Sequence, residues 1–449
     1  DDRQFNYGDV AAFATPRRLA VIVTACEDIQ PEQLIQRKGP KLSAAFDSDG
    51  QPIKALNGFL KSCGITDPNL LEQEETEKGA WVLYRSTQAG ATLSSEIQGM
   101  LIEATATLPI AKRMRWQRYR TEFVRPVRWL VALYGKDILD CQFHGRTAGA
   151  ITYGHRAMSG DDPITLSHAD QYEAKLKAGF VIADFEKRQA LIDEQLNAAA
   201  SARGAIAADD PGLLEEVTAL TEWPHVLSGD FDPEFLAVPE EALISAMREH
   251  QRYFHLRDAA GQLQPSFLTV ANLDSLQPEQ VIAGNERVIR PRLADAQFFY
   301  NKDLQKPLED ALGQLNQVVF QNELGSFGDK ARRISALAGI IAKRLGSNEA
   351  EAARAGLLAK TDLISLMVGE FPELQGIMGS YYAKAQGESS VIADSILAHY
   401  LPRFSGDQLP SSMTACAVAI ADRIDTLVGL FGIGQPPTGS KDPFALRRQ

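Results

Sequence analysis

Asp329–Leu345 reads DKARRISALAGIIAKRL. Its apolar residues Ile334, Leu337, Ala338, Ile341 and Leu345 recur at offsets of 3, 4, 7 and 11 from the first. With 3.6 residues per turn those positions share one helix face, and the lysines and arginines take the rest. A helix with one apolar stripe needs neighbours to bury it. Glu349–Ala359, Leu363–Glu370, Ser390–Tyr400 and Ser412–Phe431 carry the same periodicity. An all-α unit is therefore expected from about Phe320 to Phe431, with the helical pattern beginning near Asn285.

Working outward, the front of the chain changes character. Arg18–Thr24 (RLAVIVT) is a β-branched run after a Thr15-Pro16 break, and Ala80–Ser86 (AWVLYRS) is a second strand candidate behind the acidic loop Glu72–Glu77. Leu93–Thr107 reads as helix. Phe123–Tyr134 is rich in Val, Leu and Trp and ends at Gly135, and Asp140–Phe143 continues a sheet. Asp162–Ala207 reads as helical, Asp209-Asp210-Pro211-Gly212 as a turn or boundary, and Ser266–Ala271 as a strand. The expected fold class is multi-domain α+β, an N-terminal mixed α/β region followed by an all-α domain. The expected divisions are 1–160, 161–320, 321–431 and 432–449.

Length and composition agree. At roughly 150 residues per domain, 449 residues make about three domains. With 45% hydrophobic and 23% charged residues the chain folds; collagen-like, low-complexity and disulfide mini-protein classes are excluded. Cys26, Cys63, Cys141 and Cys416 form no C-x-x-C pair, which argues against a zinc ribbon or disulfide framework. The longest apolar run, near Ile334–Ala342, is far short of the about 20 residues a spanning helix needs. The chain opens Asp1-Asp2-Arg3 without a signal-type core. These features point to a cytoplasmic protein with no membrane partner.

The net charge is −12, so any nucleic-acid contact must come from local patches. The strongest patch is Lys112, Arg113, Arg115, Arg118, Arg120, Arg125 and Arg128, interleaved with Trp116, Tyr119, Phe123 and Trp129. Arginine forks to phosphate and aromatics stack on bases. The competing reading is a solvated face whose aromatics are core. A second cluster is Arg248, His250, Arg252, His255 and Arg257, where surface cations around a core Tyr253-Phe254 is the plainer reading. On one helix His250 and His255 would lie roughly 140° apart and share no metal. A third set is Arg287, Arg290 and Arg292; Arg287 and Arg290 share a helix face, and Asp295 is a partner for Arg292.

Gly434–Lys441 (GQPPTGSK) nearly matches a phosphate-binding loop, but its last two residues are swapped and Pro436-Pro437 removes two backbone donors. A turn is expected there. Asp362 and Asp422 are acids within apolar helical stretches. HD-type phosphohydrolases place a His, a His-Asp pair and a final Asp around a metal. The corresponding positions here are Asp329, Thr361-Asp362 and Asp422, so both imidazoles are missing from that set. Helix capping by Thr361 or Asp362, and pairing of Asp422 with Arg423 or another cation, are the alternatives. No G-x-S-x-G or H-E-x-x-H occurs.

Longer strings carry a resemblance. They include ATPRRLAV at Ala14–Val21, LPIAKRMRW at Leu108–Trp116, FVRPVRWLVALYG at Phe123–Gly135, AMREHQRYF at Ala246–Phe254, GNERVIRPRLADAQFFY at Gly284–Tyr300, GEFPELQGIMGSYYA at Gly369–Ala383 and GIGQPPTGSKDPFALRR at Gly432–Arg448. Together they resemble the β subunit of bacterial tetrameric glycyl-tRNA synthetase. The resemblance implies an α2β2 assembly in which the α subunit, with ATP and Mg, forms glycyl-adenylate, while the β subunit binds tRNA(Gly). It implies a B3/B4-like module in front, a degenerate HD-type helical domain behind, and an anticodon-binding domain after the ALRR segment that this chain lacks. No catalytic residue and no bound cofactor are expected in this chain, and a β–β contact is possible. The Lys112–Arg128 cluster, Arg248, Arg252, Arg287 and Arg290 are then candidates for contact with tRNA or α subunit. The alternatives are an HD-type metal-dependent phosphohydrolase and a tRNA-editing or docking module.

Overall fold

The computed structural model describes residues 3–47, 50–76, 79–116, 122–439 and 441–449. The chain is multi-domain α+β with small antiparallel sheets. It separates into two compact units, Asp1–Arg188 with Ala219–Trp223, and Gln189–Thr218 with Pro224–Gln449.

In the first unit, β1 (Val10–Thr15) and β2 (Arg18–Val23) form a hairpin in register from Val10↔Val23 to Thr15↔Arg18. The sequence break at Thr15-Pro16 is its turn. An antiparallel sheet follows, β3 (Gln33–Lys41) and β4 (Leu71–Thr76) flanking β5 (Gly79–Gln88). It shares a core of Ala45, Leu56, Leu60 and Val82 with α1 (Lys54–Cys63). That helix stops on Gly64 at φ +72°, a left-handed cap that glycine reaches without strain. α2 (Leu93–Ala106) starts where the Thr92 side chain accepts from the Ser95 amide.

The Val-, Leu- and Trp-rich stretch Phe123–Tyr134 is not one continuous strand. Its ends join two-residue ribbons, β6 (Met114–Arg115) with β7 (Glu122–Phe123) and β8 (Leu133–Tyr134) with β9 (Asp137–Ile138). Pro126 removes a ladder donor midway. β10 (Gln142–Phe143) pairs only with β11 (Arg146–Thr147). Asp162–Ala207 is likewise not all helix. β12 (Ile151–Tyr153) pairs β13 (Pro163–Thr165), and α3 (Tyr172–Ala178) ends at Gly179. A Cβ on Gly179 would meet Ile164 Cδ1 at 2.7 Å and the Gly154 Cα at 3.1 Å, so the chain passes close there.

α4 (Phe185–Ala202) begins in the first unit and from residue 189 belongs to the second. There it packs with α5 (Pro211–Leu220) on a four-stranded antiparallel sheet. The strands are β14 (Ile206–Ala207), β15 (His225–Asp230), β16 (Phe254–Arg257) and β17 (Leu263–Ala271), in the order β14-β16-β17-β15. Ile192, Leu196, Leu213, Phe254 and Leu268 fill the space between. The Asp209–Gly212 boundary is the start of α5, where Asp210 accepts from the Leu213 amide at 2.9 Å.

α6 (Glu240–Ser245) runs into a π turn at Ala246–His250. Then come α7 (Pro278–Leu304), which starts ahead of the expected Asn285, α8 (Leu308–Leu315), β18 (Val319–Gln321) and β19 (Gly325–Ser326). The helical remainder is α9 (Phe327–Arg344), α10 (Glu349–Leu358), α11 (Leu366–Glu370), α12 (Ile377–Ala385), α13 (Ser390–Ala398) and α14 (Met413–Gly432). On α9, Ile334 and Ala338 are fully buried and Leu337 and Ile341 pack beside them. Leu345 is 43% exposed because it is already the C-cap.

Candidate nucleic-acid interface and buried ion cluster

In the first unit an open cleft of about 3110 Å³ is bordered by Lys112, Trp116, Arg125, Arg128, Trp129 and Arg156, among others. Lys112, Arg113, Arg115, Arg125 and Arg128 are exposed or nearly so, and Arg118 and Arg120 lie outside the described residues. The cations differ in how committed they are. Arg115 pairs with Glu122, Arg125 donates to the Pro16 carbonyl, and Arg113 donates to the Ala106 carbonyl at 3.2 Å. Among the described residues Lys112, Arg128 and Arg156 have no ion-pair partner. Trp116 sits edge-on to His144, with ring centroids 5.4 Å apart. Trp129 carries the Arg17 and Arg18 guanidinium groups at 5.9 and 5.7 Å. Both tryptophans are half-buried and line the cleft.

The second unit treats its arginines differently. Arg248 donates to Asp210 at 2.5 Å and pairs with Glu249; Arg252 donates to Glu216 at 2.8 Å; Arg257 grips Glu240 at 2.9 and 3.1 Å. Tyr253 and Phe254 between them are buried. His250 and His255 do not share a helix. The helix closes at Gln251, Arg252 takes φ +57°, and His255 is on β16. Burial pushes the His255 imidazole down to about 4, with the Arg257 charge adding. On α7, Arg287 and Arg290 have no ion-pair partner among the described residues, and Arg292 lies 3.9 Å from Glu370, not Asp295. Arg290 is exposed and Arg287 is exposed beside it on the same face.

The HD-type positions each take a different partner. Asp329 closes a capping box on α9: it accepts from the Ser326 amide at 3.0 Å and Ser326 Oγ accepts from its amide at 3.1 Å. Thr361 Oγ1 donates to the Leu358 carbonyl at 2.7 Å. Asp362 is fully buried and accepts the Gly376 and Gly379 amides at 2.5 and 3.0 Å, tying down the start of α12. Only Asp422 joins a charge cluster. Its Oδ2 accepts from Lys360 Nζ at 2.8 Å, and its Oδ1 lies 2.8 Å from Lys330 Nζ as an ion pair, not a well-aligned hydrogen bond. Burial alone would raise the Asp422 carboxyl, but the two ammonium groups outweigh it and hold it far below the usual carboxylate range. Arg423 faces elsewhere, donating to the carbonyls of His399 and Leu401 at 3.2 and 2.8 Å.

Sequence reading named the acids and missed Lys330, Lys360, His399 and Asp425. A signal existed. Lys330 follows Asp329, Lys360 precedes Thr361-Asp362 behind the apolar Gly356–Ala359, and Asp425 lies one helical turn beyond Asp422. GQPPTGSK follows helix α14 and no strand, with Thr438 bridged to Lys441 in a turn.

The family model for "Glycyl-tRNA synthetase beta subunit" matches residues 1–449. The chain belongs to the glycyl-tRNA synthetase beta subunit family. The protein named "Glycine--tRNA ligase beta subunit" from Hahella chejuensis is 50% identical over 446 residues, covering 99% of this chain and 64% of that protein. Its namesake from Marinobacter nauticus is 51% identical over 448 residues, covering 98% of this chain and 64% of its own length. That from Chromohalobacter salexigens is 50% identical over 447 residues, with 100% and 64% covered. The chain thus spans about 64% of the length of these relatives. No helix among the described residues is long and apolar enough to cross a membrane.

Proposed function

We propose that this chain is the tRNA-gripping part of a glycine–tRNA ligase, with glycylation, ATP and Mg handled at the active site of an α subunit. The observation that carries the reading is that Lys112 and Arg128, without ion-pair partners among the described residues, border the open cleft together with half-buried Trp116. Cations without acidic partners are available to phosphate, and an indole to bases. The relatives' names support the ligase assignment. A B3/B4-like first region, a degenerate HD-type region at 321–431, the four divisions set out above and a cytoplasmic setting belong to the same reading.

Fluorescence anisotropy with labelled tRNA(Gly) across a salt series tests it. Binding should weaken steeply with salt, since each phosphate contact releases counterions. Salt-independent binding, or none, overturns it. Pyrophosphate exchange by the isolated chain should be absent; robust exchange would place adenylate formation here.

A further inference from the structure

An HD-type helical domain implies a divalent cation, so the residues present must be tested against one. Groups of three or more His, Cys, Asp or Glu placed to hold a metal ion do not occur among the described residues. What occurs instead is a half-set already filled. His399 and Asp422 converge on a single point, and that point is the ammonium of Lys360, 2.8 Å from His399 Nε2 and 2.8 Å from Asp422 Oδ2. A zinc-like ion would need to sit about 2.0–2.2 Å from both atoms. It would overlap Lys360 Nζ. The residues as they stand therefore do not fit a metal.

The surroundings are nevertheless arranged for a cation. His399 is fully buried, and its Nδ1 lies 2.6 Å from the Ile396 carbonyl. A carbonyl only accepts, so Nδ1 carries the proton and Nε2 presents its lone pair. That is the orientation a metal-binding histidine takes, its other nitrogen donating to a carbonyl. The Tyr400 ring lies 4.1 Å from Lys360 Nζ and adds its π-face. A second ammonium completes the arrangement. Lys330 Nζ donates to Thr426 Oγ1 at 2.6 Å and Asp425 Oδ2 at 3.1 Å, and pairs with the other oxygen of Asp422. Both lysine side chains are nearly inaccessible, 3% exposed for Lys330 and 6% for Lys360.

We propose that the Lys360 ammonium stands in for a divalent cation, held by a His399–Asp422 ligand pair, and that removing it uncovers a metal site. Lys330 supplies the second positive charge on the far side of the shared carboxylate. The cluster joins α9, the end of α10, the end of α13 and α14 without any dependence on metal supply.

The test is thermal unfolding of the full chain with and without cobalt(II). Wild type should be unmoved by cobalt. Lys360→Ala should lose on the order of 10 °C in its helical transition, because the buried Asp422 carboxylate loses one of its two ammonium partners and His399 Nε2 loses its donor. Saturating cobalt should recover at least half of that loss in Lys360→Ala and none in Lys360→Ala/His399→Ala. Equal recovery in both variants, or a wild type that itself binds one equivalent of cobalt, overturns the proposal. Should Lys360→Ala fail to fold, the isosteric Lys360→Met decides. It should be less stable than Lys360→Met/Asp422→Asn, which removes a buried carboxylate left with Lys330 alone, while Lys330 keeps Asp425. A Lys360→Met protein as stable as wild type shows the ammonium to be dispensable and ends the idea.

Discussion

Single residues hold this chain through buried charge. Arg18 and Glu222 form an ion pair with side chains 3% and 2% exposed, and Thr15 Oγ1 and the Tyr153 and Gly154 carbonyls meet most of the remaining polar atoms. Arg18→Met takes the paired guanidinium away from a buried carboxylate and should cost about 3–5 kcal/mol in urea unfolding of the first unit, whereas Arg18→Met/Glu222→Met should recover much of it. Equal stability of single and double variants would show that the pair is not coupled. Asp362 and His399 are buried groups with opposing pH signatures. Burial raises the Asp362 carboxyl to about 6 against the pull of the Gly376 and Gly379 amides and Lys360. Burial, helped by Lys360, pushes the His399 imidazole down to about 3; Asp422 and Arg423 also face it. A raised acid stabilises below its unfolded value of 3.8 and loses that as pH rises through 6. A depressed histidine stabilises above 6.5 and loses that as pH falls toward 3. Between about pH 4 and 6 the two slopes oppose one another. Asp362→Asn removes one of them. It should therefore lose more stability than wild type on acidifying from about pH 6 to 4, on the order of 1 kcal/mol per pH unit, measured by urea titration at several pH values. Parallel profiles would refute the assignment.

At the scale of elements, stability comes from helix ends as well as helix faces. The Ser326–Asp329 box caps α9, and Gly325 at φ +86° makes room for it, since a Cβ there would meet Asp329 Oδ2 at 2.5 Å. Ser326→Ala should destabilise the second unit by about 1 kcal/mol in the same assay, with the Asp329 carboxylate still held by the residue-326 amide. An unchanged midpoint would mean the cap is idle. The long helices were legible because a 3.6-residue stripe is local: Ile334 through Ile341 on α9 and the span Ser412–Phe431 on α14 needed no knowledge of partners. The ribbons between Met114 and Thr147 were not, because two-residue pairings are set by what the chain packs against and leave no period in the sequence. The ion cluster was half legible for the same reason. Asp422 stood out as an acid in an apolar helix, but the lysines that answer it lie 62 and 92 residues away on other parts of the helical region.

Over the whole molecule, a chain of net charge −12 repels a polyanion across most of its surface, so only cations left without acidic partners can reverse the local field. By that measure the clusters found in the sequence are unequal. Arg248, Arg252 and Arg257 are matched by Asp210, Glu249, Glu216 and Glu240 and present little net charge. Lys112 and Arg128 are unmatched among the described residues. Lys112→Glu/Arg128→Glu should therefore weaken tRNA(Gly) binding and flatten the dependence of log K on log salt by about 2, near 0.9 for each phosphate no longer neutralised. Arg252→Glu places a carboxylate beside Glu216 and should lower stability by less than about 1 kcal/mol, as exposed pairs do, while leaving that slope where it was. The comparison is made in one anisotropy series on wild type and the two variants, each shown to be folded by its unfolding midpoint. If Arg252→Glu flattens the slope as much as the double variant does, pairing with carboxylates does not decide which cations meet the nucleic acid, and the cleft loses its claim to be the contact surface.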